Sequence, residues 1–125
     1  MMQILFVSEN PSGLDDLKNG LLKHPQVHVD TVASVDEAWI KINEALPALV
    51  VIDEIVAGIP GKQLVEGMIK KNPFINTALV SPLSPEDFHE DTEGLGVLMK
   101  IDKQAGESQA KDMVEQLEKL LSLYK

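Results

Sequence analysis

The sequence contains no cysteine and no arginine. Without cysteine the chain forms no disulfide and holds no metal through thiolates. All eleven basic residues are lysines, so the guanidinium fork that recognises guanine or buried phosphate in two-point contacts is missing. Twenty acidic residues give a net charge of −9, which opposes contact with nucleic-acid phosphates. We therefore expect no direct binding to nucleic acid.

Long hydrophobic runs are also missing. No stretch approaches the about 18 apolar residues that a membrane-spanning helix needs. The apolar run at residues 4–7 is too short for the core of a signal peptide and has no basic flank. These absences predict a cytoplasmic protein without membrane contact. The length of 125 residues, 44% of them hydrophobic, predicts a single domain over residues 1–125 with no effector domain.

Apolar runs alternate with helical stripes along the chain. Two continuous apolar runs, residues 4–7 and 48–52, predict strands that are covered on both faces. Shorter runs predict three more strands at residues 27–31, 77–80 and 97–99. A helical pattern follows each strand, and the fourth helix is short. Five alternating strands and helices predict an α/β fold with a parallel sheet and helices on both faces.

Ligands of such sheets bind at the carboxyl ends of the strands. The polar residues expected there are Ser8, Glu9, Asp53, Ser81 and Lys100. A carboxylate can accept a phosphoryl group as an acyl phosphate, and carboxylates with a backbone carbonyl can hold Mg²⁺. A hydroxyl and a lysine can contact phosphoryl oxygens. The rim therefore has the residue types for phosphoryl chemistry.

Over nearly its whole length the chain resembles the CheY-like receiver domain of two-component response regulators. The segments that carry the resemblance are Leu5-Phe6-Val7-Ser8-Glu9-Asn10-Pro11, Leu49-Val50-Val51-Ile52-Asp53 with Pro60-Gly61 after it, Val80-Ser81 and Leu98-Met99-Lys100. The resemblance implies a flavodoxin-like doubly wound sheet of five strands in the order 2-1-3-4-5. It also implies a signalling module, not an enzyme.

The same resemblance assigns roles to residues and partners. It implies that Asp53 is the phosphoacceptor, assisted by Ser81 and Lys100. It implies Mg²⁺ as cofactor, held by Glu9, Asp53 and the backbone carbonyl of Ile55. A histidine kinase or another phosphodonor protein would supply the phosphoryl group. The output surface would be the fourth helix, fifth strand and fifth helix, which would contact a downstream protein or a second copy of the chain.

Several positions depart from the family's pattern. Ser8 replaces the first of two acids and Glu9 the usual aspartate, so Mg²⁺ affinity should fall. Val97 stands at the position of a switching aromatic. Ile101 replaces a proline that commonly follows a cis bond, and we expect a trans bond there because a cis bond before a non-proline residue costs about 3 kcal/mol.

Two functions of different classes remain open from the sequence. The first is a stand-alone receiver that is phosphorylated on Asp53 in a phosphorelay and signals by protein contact. The alternative is a pseudo-receiver, an adaptor that binds its partner independently of phosphorylation. A flavodoxin-like cofactor protein is excluded because Glu9 would repel a phosphate and Pro11 offers no amide donor to it.

Overall fold

A computed structural model of the chain describes residues 2–122. Tyr124, which the sequence pattern places on the last helix, lies outside the described residues. The strands are β1 (Met2–Val7), β2 (Val27–Val32), β3 (Leu49–Ile52), β4 (Ile55–Val56), β5 (Ile59–Pro60), β6 (Thr77–Val80) and β7 (Met99–Ile101). The helices are α1 (Asp15–Leu22), α2 (Val35–Glu44), α3 (Gly61–Lys71), α4 (Pro85–Asp91) and α5 (Glu107–Ser122), with a 3₁₀ turn at Pro11–Leu14.

The main sheet is parallel, with strand order β2-β1-β3-β6-β7. Strands β4 and β5 form a separate two-stranded hairpin, so the main sheet confirms the predicted order 2-1-3-4-5. None of the helices within residues 2–122 is both long and apolar enough to cross a membrane.

The sheet separates two hydrophobic layers. Along β1, Ile4 and Phe6 face the layer that contains α1 and α5, whereas Leu5 and Val7 face the layer that contains α2 and α3. All four residues of β3 are buried, as expected for a central strand with helices on both faces. Each fully buried aliphatic or aromatic side chain contributes about 2 kcal/mol to the free energy of folding. The well-packed central strands therefore support the residues at their carboxyl ends.

Two helices begin at serine caps, each at a position where the sequence has an acidic residue three residues after the serine. The Ser34 hydroxyl accepts a hydrogen bond from the Glu37 amide at the start of α2. The Ser84 hydroxyl accepts one from the Asp87 amide at the start of α4. Helix α4 is only seven residues long and buries Phe88 alone, which confirms the short fourth helix.

The β4–β5 hairpin was not expected from the sequence, in which Gly58, Pro60 and Gly61 are typical of an irregular loop. Its two central residues, Ala57 and Gly58, have φ angles of 54° and 75°. Two successive positive φ angles are typical of a type I′ turn, which matches the twist of paired strands. Glycine favours this conformation, but alanine does not, so a contact from outside the hairpin must stabilise Ala57.

The buried hydroxyl of Thr77 gives a prediction about stability. Thr77 is fully buried in β6, and its Oγ1 atom has no hydrogen-bond partner among the described residues. Replacing it with the isosteric valine removes an unsatisfied polar group, so Thr77→Val should raise the free energy of unfolding by about 1 kcal/mol. Urea unfolding measures the change. Thr77→Ala is the control and should lower stability, because it leaves a cavity.

Candidate functional site

Ser8 and Asp53 meet at the carboxyl ends of β1 and β3. The register places Val7 beside Ile52, so the next residue of each strand reaches the same edge. Ser8 is 1% exposed, and its Oγ donates a hydrogen bond of 2.6 Å to Asp53 Oδ2. The same Oγ accepts from the Asn10 amide at 3.2 Å. Ser8 therefore caps a backbone amide and also holds the Asp53 carboxylate.

The other carboxylate oxygen of Asp53 is also engaged. Asp53 Oδ1 accepts a hydrogen bond of 2.8 Å from the Glu54 amide. Asp53 is half-buried. Both oxygens thus have a neutral hydrogen-bond donor.

Glu9 contacts the β4–β5 hairpin. Its carboxylate accepts a hydrogen bond from the backbone amide of Ala57, the residue with positive φ. A charge-assisted hydrogen bond of this kind is about twice as strong as a neutral one. The contact from Glu9 is thus the outside support that the Ala57 conformation needs, and it joins the end of β1 to the hairpin.

Gly61 allows α3 to approach Asp53 closely. A Cβ atom on Gly61 would lie 2.2 Å from the backbone oxygen of Asp53 and 2.7 Å from Leu79 Cδ1. The Gly61 amide donates a hydrogen bond of 2.7 Å to the Glu54 carbonyl. The backbone on both sides of the Asp53–Glu54 peptide is therefore packed against the start of α3, where only glycine fits.

Ser81 follows β6 as predicted, whereas Lys100 lies inside β7, because the last strand begins at Met99, two residues later than the sequence predicts. Each of the two side chains has a partner other than Asp53. The Ser81 hydroxyl is buried and accepts a hydrogen bond of 3.2 Å from the Leu83 amide. Lys100 Nζ lies 2.6 Å from Asp102 Oδ1, and its side chain is 18% exposed. Within residues 2–122 no ion pair joins Lys100 to Asp53. The sheet brings the predicted rim residues to one edge, and the two side chains turn to local partners.

A second lysine at the rim was missed by sequence reasoning. Lys103 Nζ lies 3.2 Å from the carboxylate of Glu54, the residue after Asp53. The two lysines each pair with an acid of the rim, Asp102 and Glu54. Glu54, Asp102 and Lys103 lie on loops, where sequence spacing gives no geometric signal.

The donor groups do not fit a tight Mg²⁺ site. Mg²⁺ demands near-octahedral oxygen ligands and responds to the number of carboxylates. Ser8 replaces one acid by a neutral hydroxyl, and the Glu9 carboxylate is bound to the Ala57 amide. No group of three acidic or histidine side chains that could hold a metal ion occurs in the part of the chain that the structure describes. Glu9, Asp53 and the Ile55 carbonyl remain a predicted ligand set.

The peptide bond before Ile101 is trans, as every peptide bond of the described residues is. This agrees with the expectation from the sequence. Ile101 is fully buried, and its carbonyl accepts a hydrogen bond of 3.0 Å from the Ser81 amide. The ends of β6 and β7 are joined by this bond, so Ser81 and Lys100 are held on neighbouring strands.

Comparison with known proteins gives a consistent fold. No family model matches the sequence, and no curated protein sequence matches it significantly. Solved structures do match. A response-regulator receiver domain protein from Methanospirillum hungatei is 21% identical, with a TM-score of 0.73 over 98% of this chain and 94% of that one.

Two other solved structures are similar to the same extent. Response regulator TrrA from Thermotoga maritima, determined in complex with Mg²⁺–BeF, is 24% identical, with a TM-score of 0.74 over 94% of this chain and 99% of that one. A putative response regulator from Chloroflexus aurantiacus is 17% identical, with a TM-score of 0.76 over 93% and 96%. At these identities the likeness establishes the architecture. The chain therefore has the CheY-like fold of response-regulator receiver domains.

Proposed function

We propose that this chain is a receiver-fold adaptor: a single cytoplasmic signalling domain, not an enzyme, that acts by protein contact without requiring phosphorylation. The observation that carries the proposal is the 2.6 Å hydrogen bond from Ser8 to Asp53. It gives the Asp53 carboxylate a neutral partner where the family's pattern has a second acid. The output surface would be α4, β7 and α5, for a downstream protein or a second copy.

The contacts of the residues around Asp53 support the same function. The Glu9 carboxylate stabilises the hairpin, and Lys100 is paired with Asp102. Val97, at the position of the switching aromatic, is half-buried and has no ring that could move between a buried and an exposed position. Glu9 and Lys100 are therefore engaged in other contacts, and Val97 lacks the aromatic ring that would change position on phosphorylation.

A phosphorylated receiver is the second candidate. Asp53 is half-exposed at the end of β3, Ser81 follows the neighbouring strand β6, and Lys100 lies in β7, the next strand of the sheet. In this reading a histidine kinase or another phosphodonor modifies Asp53, with Mg²⁺ bound weakly at Glu9, Asp53 and the Ile55 carbonyl. A side-chain rotation of Lys100 away from Asp102 would be required.

Intact mass separates the two functions. After incubation with a small phosphodonor and millimolar Mg²⁺, we expect the wild-type chain to show at most slow, partial addition of one phosphoryl group. Ser8→Asp should be labelled at least tenfold faster, because it restores the missing acid. Asp53→Asn is the control and should never be labelled. Rapid, complete labelling of the wild type at Asp53 would establish the phosphorylated receiver and refute the adaptor.

Partner binding gives a second test once a partner has been captured. Because Val97 provides no aromatic switch, wild type treated with phosphodonor and Asp53→Asn should bind the partner with affinities within a few-fold of each other, less than about 1 kcal/mol of coupling. Calorimetry measures both affinities. A tenfold or larger loss in Asp53→Asn would show that phosphorylation controls binding through another element.

A further inference from the structure

The side chain of Gln109, on α5, bonds to the outer edge of β7. Its Nε2 donates a hydrogen bond of 2.7 Å to the Lys100 carbonyl, and its Oε1 accepts one of 3.0 Å from the Asp102 amide. In a parallel ladder one residue bonds in this way to the carbonyl and amide on either side of its partner, here Ile101. The amide of Gln109 thus takes the place of one residue of a further parallel strand.

Strand β7 is the last strand of the sheet on this side. A sheet edge presents backbone groups that can pair with another chain, and natural proteins commonly cover it. Here the cover is one side chain, which covers only the end of the strand. The edge is therefore closed by two hydrogen bonds that a competing backbone could replace.

A groove lies beside this edge, between α4 and the start of α5. It has a volume of about 420 Å³, and its lining includes Phe88, Val97 and Met99 as well as Gln109 itself. Val97 and Met99 are half-buried. An extended segment that paired with β7 would place every second side chain over this apolar lining, since side chains alternate along a strand.

The charges around the groove favour one kind of partner segment. Glu86 and Glu93 are exposed and follow directly after Pro85 and Thr92, which line the groove. Lys100 and Asp102, both in the lining, form an ion pair and add no net charge, so the acidic excess comes from Glu86 and Glu93. With a net charge of −9 on the whole chain, this rim favours a segment that carries lysine or arginine between its apolar residues.

We infer that the edge of β7 binds an extended basic and apolar segment of a partner protein by strand addition, and that the Gln109 side chain must be displaced first. This inference rests on the proposed function, because it places the adaptor's contact on the α4, β7 and α5 surface. Backbone pairing supplies affinity and the groove supplies selectivity. Phosphoryl labelling of Asp53 tests the adaptor function without any peptide. The adaptor function and strand addition at β7 can therefore be refuted independently of each other.

The test uses a labelled, end-blocked eight-residue peptide of alternating valine and lysine, measured by fluorescence anisotropy. Gln109→Ala should bind it about fivefold more tightly than wild type, because the peptide no longer displaces two hydrogen bonds. Gln116→Ala, on the same helix without a contact to the edge, is the matched control and should bind as wild type does. Equal affinity of Gln109→Ala and wild type would overturn the inference.

Two further measurements separate strand addition from charge attraction. A peptide in which every valine is replaced by proline keeps the charge but loses amide donors, and it should bind at least tenfold more weakly. Equal binding of that peptide would refute strand addition. Hydrogen exchange of the Asp102 amide should be fast in Gln109→Ala and slow again with the valine peptide, whereas an amide that stays fast contradicts the inference.

Self-association is the remaining occupant of the edge. Sedimentation of Gln109→Ala without peptide should show the same oligomeric state as wild type at micromolar concentration, with circular dichroism spectra that coincide. A Gln109→Ala dimer that the peptide does not dissociate would assign the edge to a second copy of the chain and overturn the proposed partner segment.

Discussion

Gly61→Ala should lower the free energy of unfolding by about 3 kcal/mol, at the upper end of the usual cost of overpacking. The added methyl group would lie 2.2 Å from the backbone oxygen of Asp53, a distance that no rotamer change can relieve. Helix propensity would favour alanine within α3 by at most about 1 kcal/mol, so the steric term decides the sign. Urea unfolding at constant m-value measures the loss.

A glycine in open space provides the control for this substitution. Gly13 has no atom within 4 Å of an added Cβ and no positive φ angle. Gly13→Ala should therefore leave stability unchanged or raise it by about 0.5 kcal/mol through the unfolded state. If both variants unfold at the wild-type urea concentration, α3 does not pack against the Asp53 peptide as described.

The Gly61 contact also links stability to the candidate site. The methyl group must push α3 or the Asp53–Glu54 peptide away, and the Glu54 amide donates to Asp53 Oδ1. We therefore expect the Glu54 amide to exchange faster in Gly61→Ala than in Gly13→Ala. The carboxylate would lose one of its two donors without any change to its own residue.

Ser8→Asp should destabilise the protein by about 2 kcal/mol at pH 7 in the absence of divalent metal. The substitution removes a hydrogen-bond donor to a carboxylate and puts a second negative charge within contact of Asp53, at a position that is 1% exposed. Lowering the pH protonates one of the two acids, so the deficit relative to wild type should shrink as the pH falls. Thermal unfolding at several pH values measures this trend.

Magnesium should reverse the same deficit. A ligand that binds only the folded state stabilises it as its concentration rises above Kd, and an added carboxylate should tighten Mg²⁺ binding. We expect about 10 mM Mg²⁺ to stabilise Ser8→Asp and to leave wild type nearly unchanged. Ser8→Asn is the control, because asparagine has the shape of aspartate without its charge, and its stability should not change with Mg²⁺. Equal Mg²⁺ affinities of Ser8→Asp and wild type would show that Glu9 and Asp53 form no metal site.

The sequence alone determined the alternation of strands and helices. The continuous apolar runs of β1 and β3 are buried on both faces because a parallel sheet is covered by helices on both sides. The caps at Ser34 and Ser84 are local hydrogen bonds over three residues, so a short sequence window contains all the information they need. The carboxyl ends of β1, β3 and β6 then follow, and with them Ser8, Asp53 and Ser81, whereas the last strand begins two residues later than predicted and includes Lys100.

Only the tertiary structure decided which partners the rim side chains take. Ser8 and Asp53 are 45 residues apart, and their hydrogen bond depends on the strand register. Lys100 pairs with Asp102 and not with Asp53, although the sequence places both lysine and aspartate at the rim. The same is true of the Glu9 contact with Ala57, which links β1 to a hairpin that local sequence does not predict. Sequence spacing specifies which residues reach an edge, but hydrogen bonds depend on distances that only the packed chain defines.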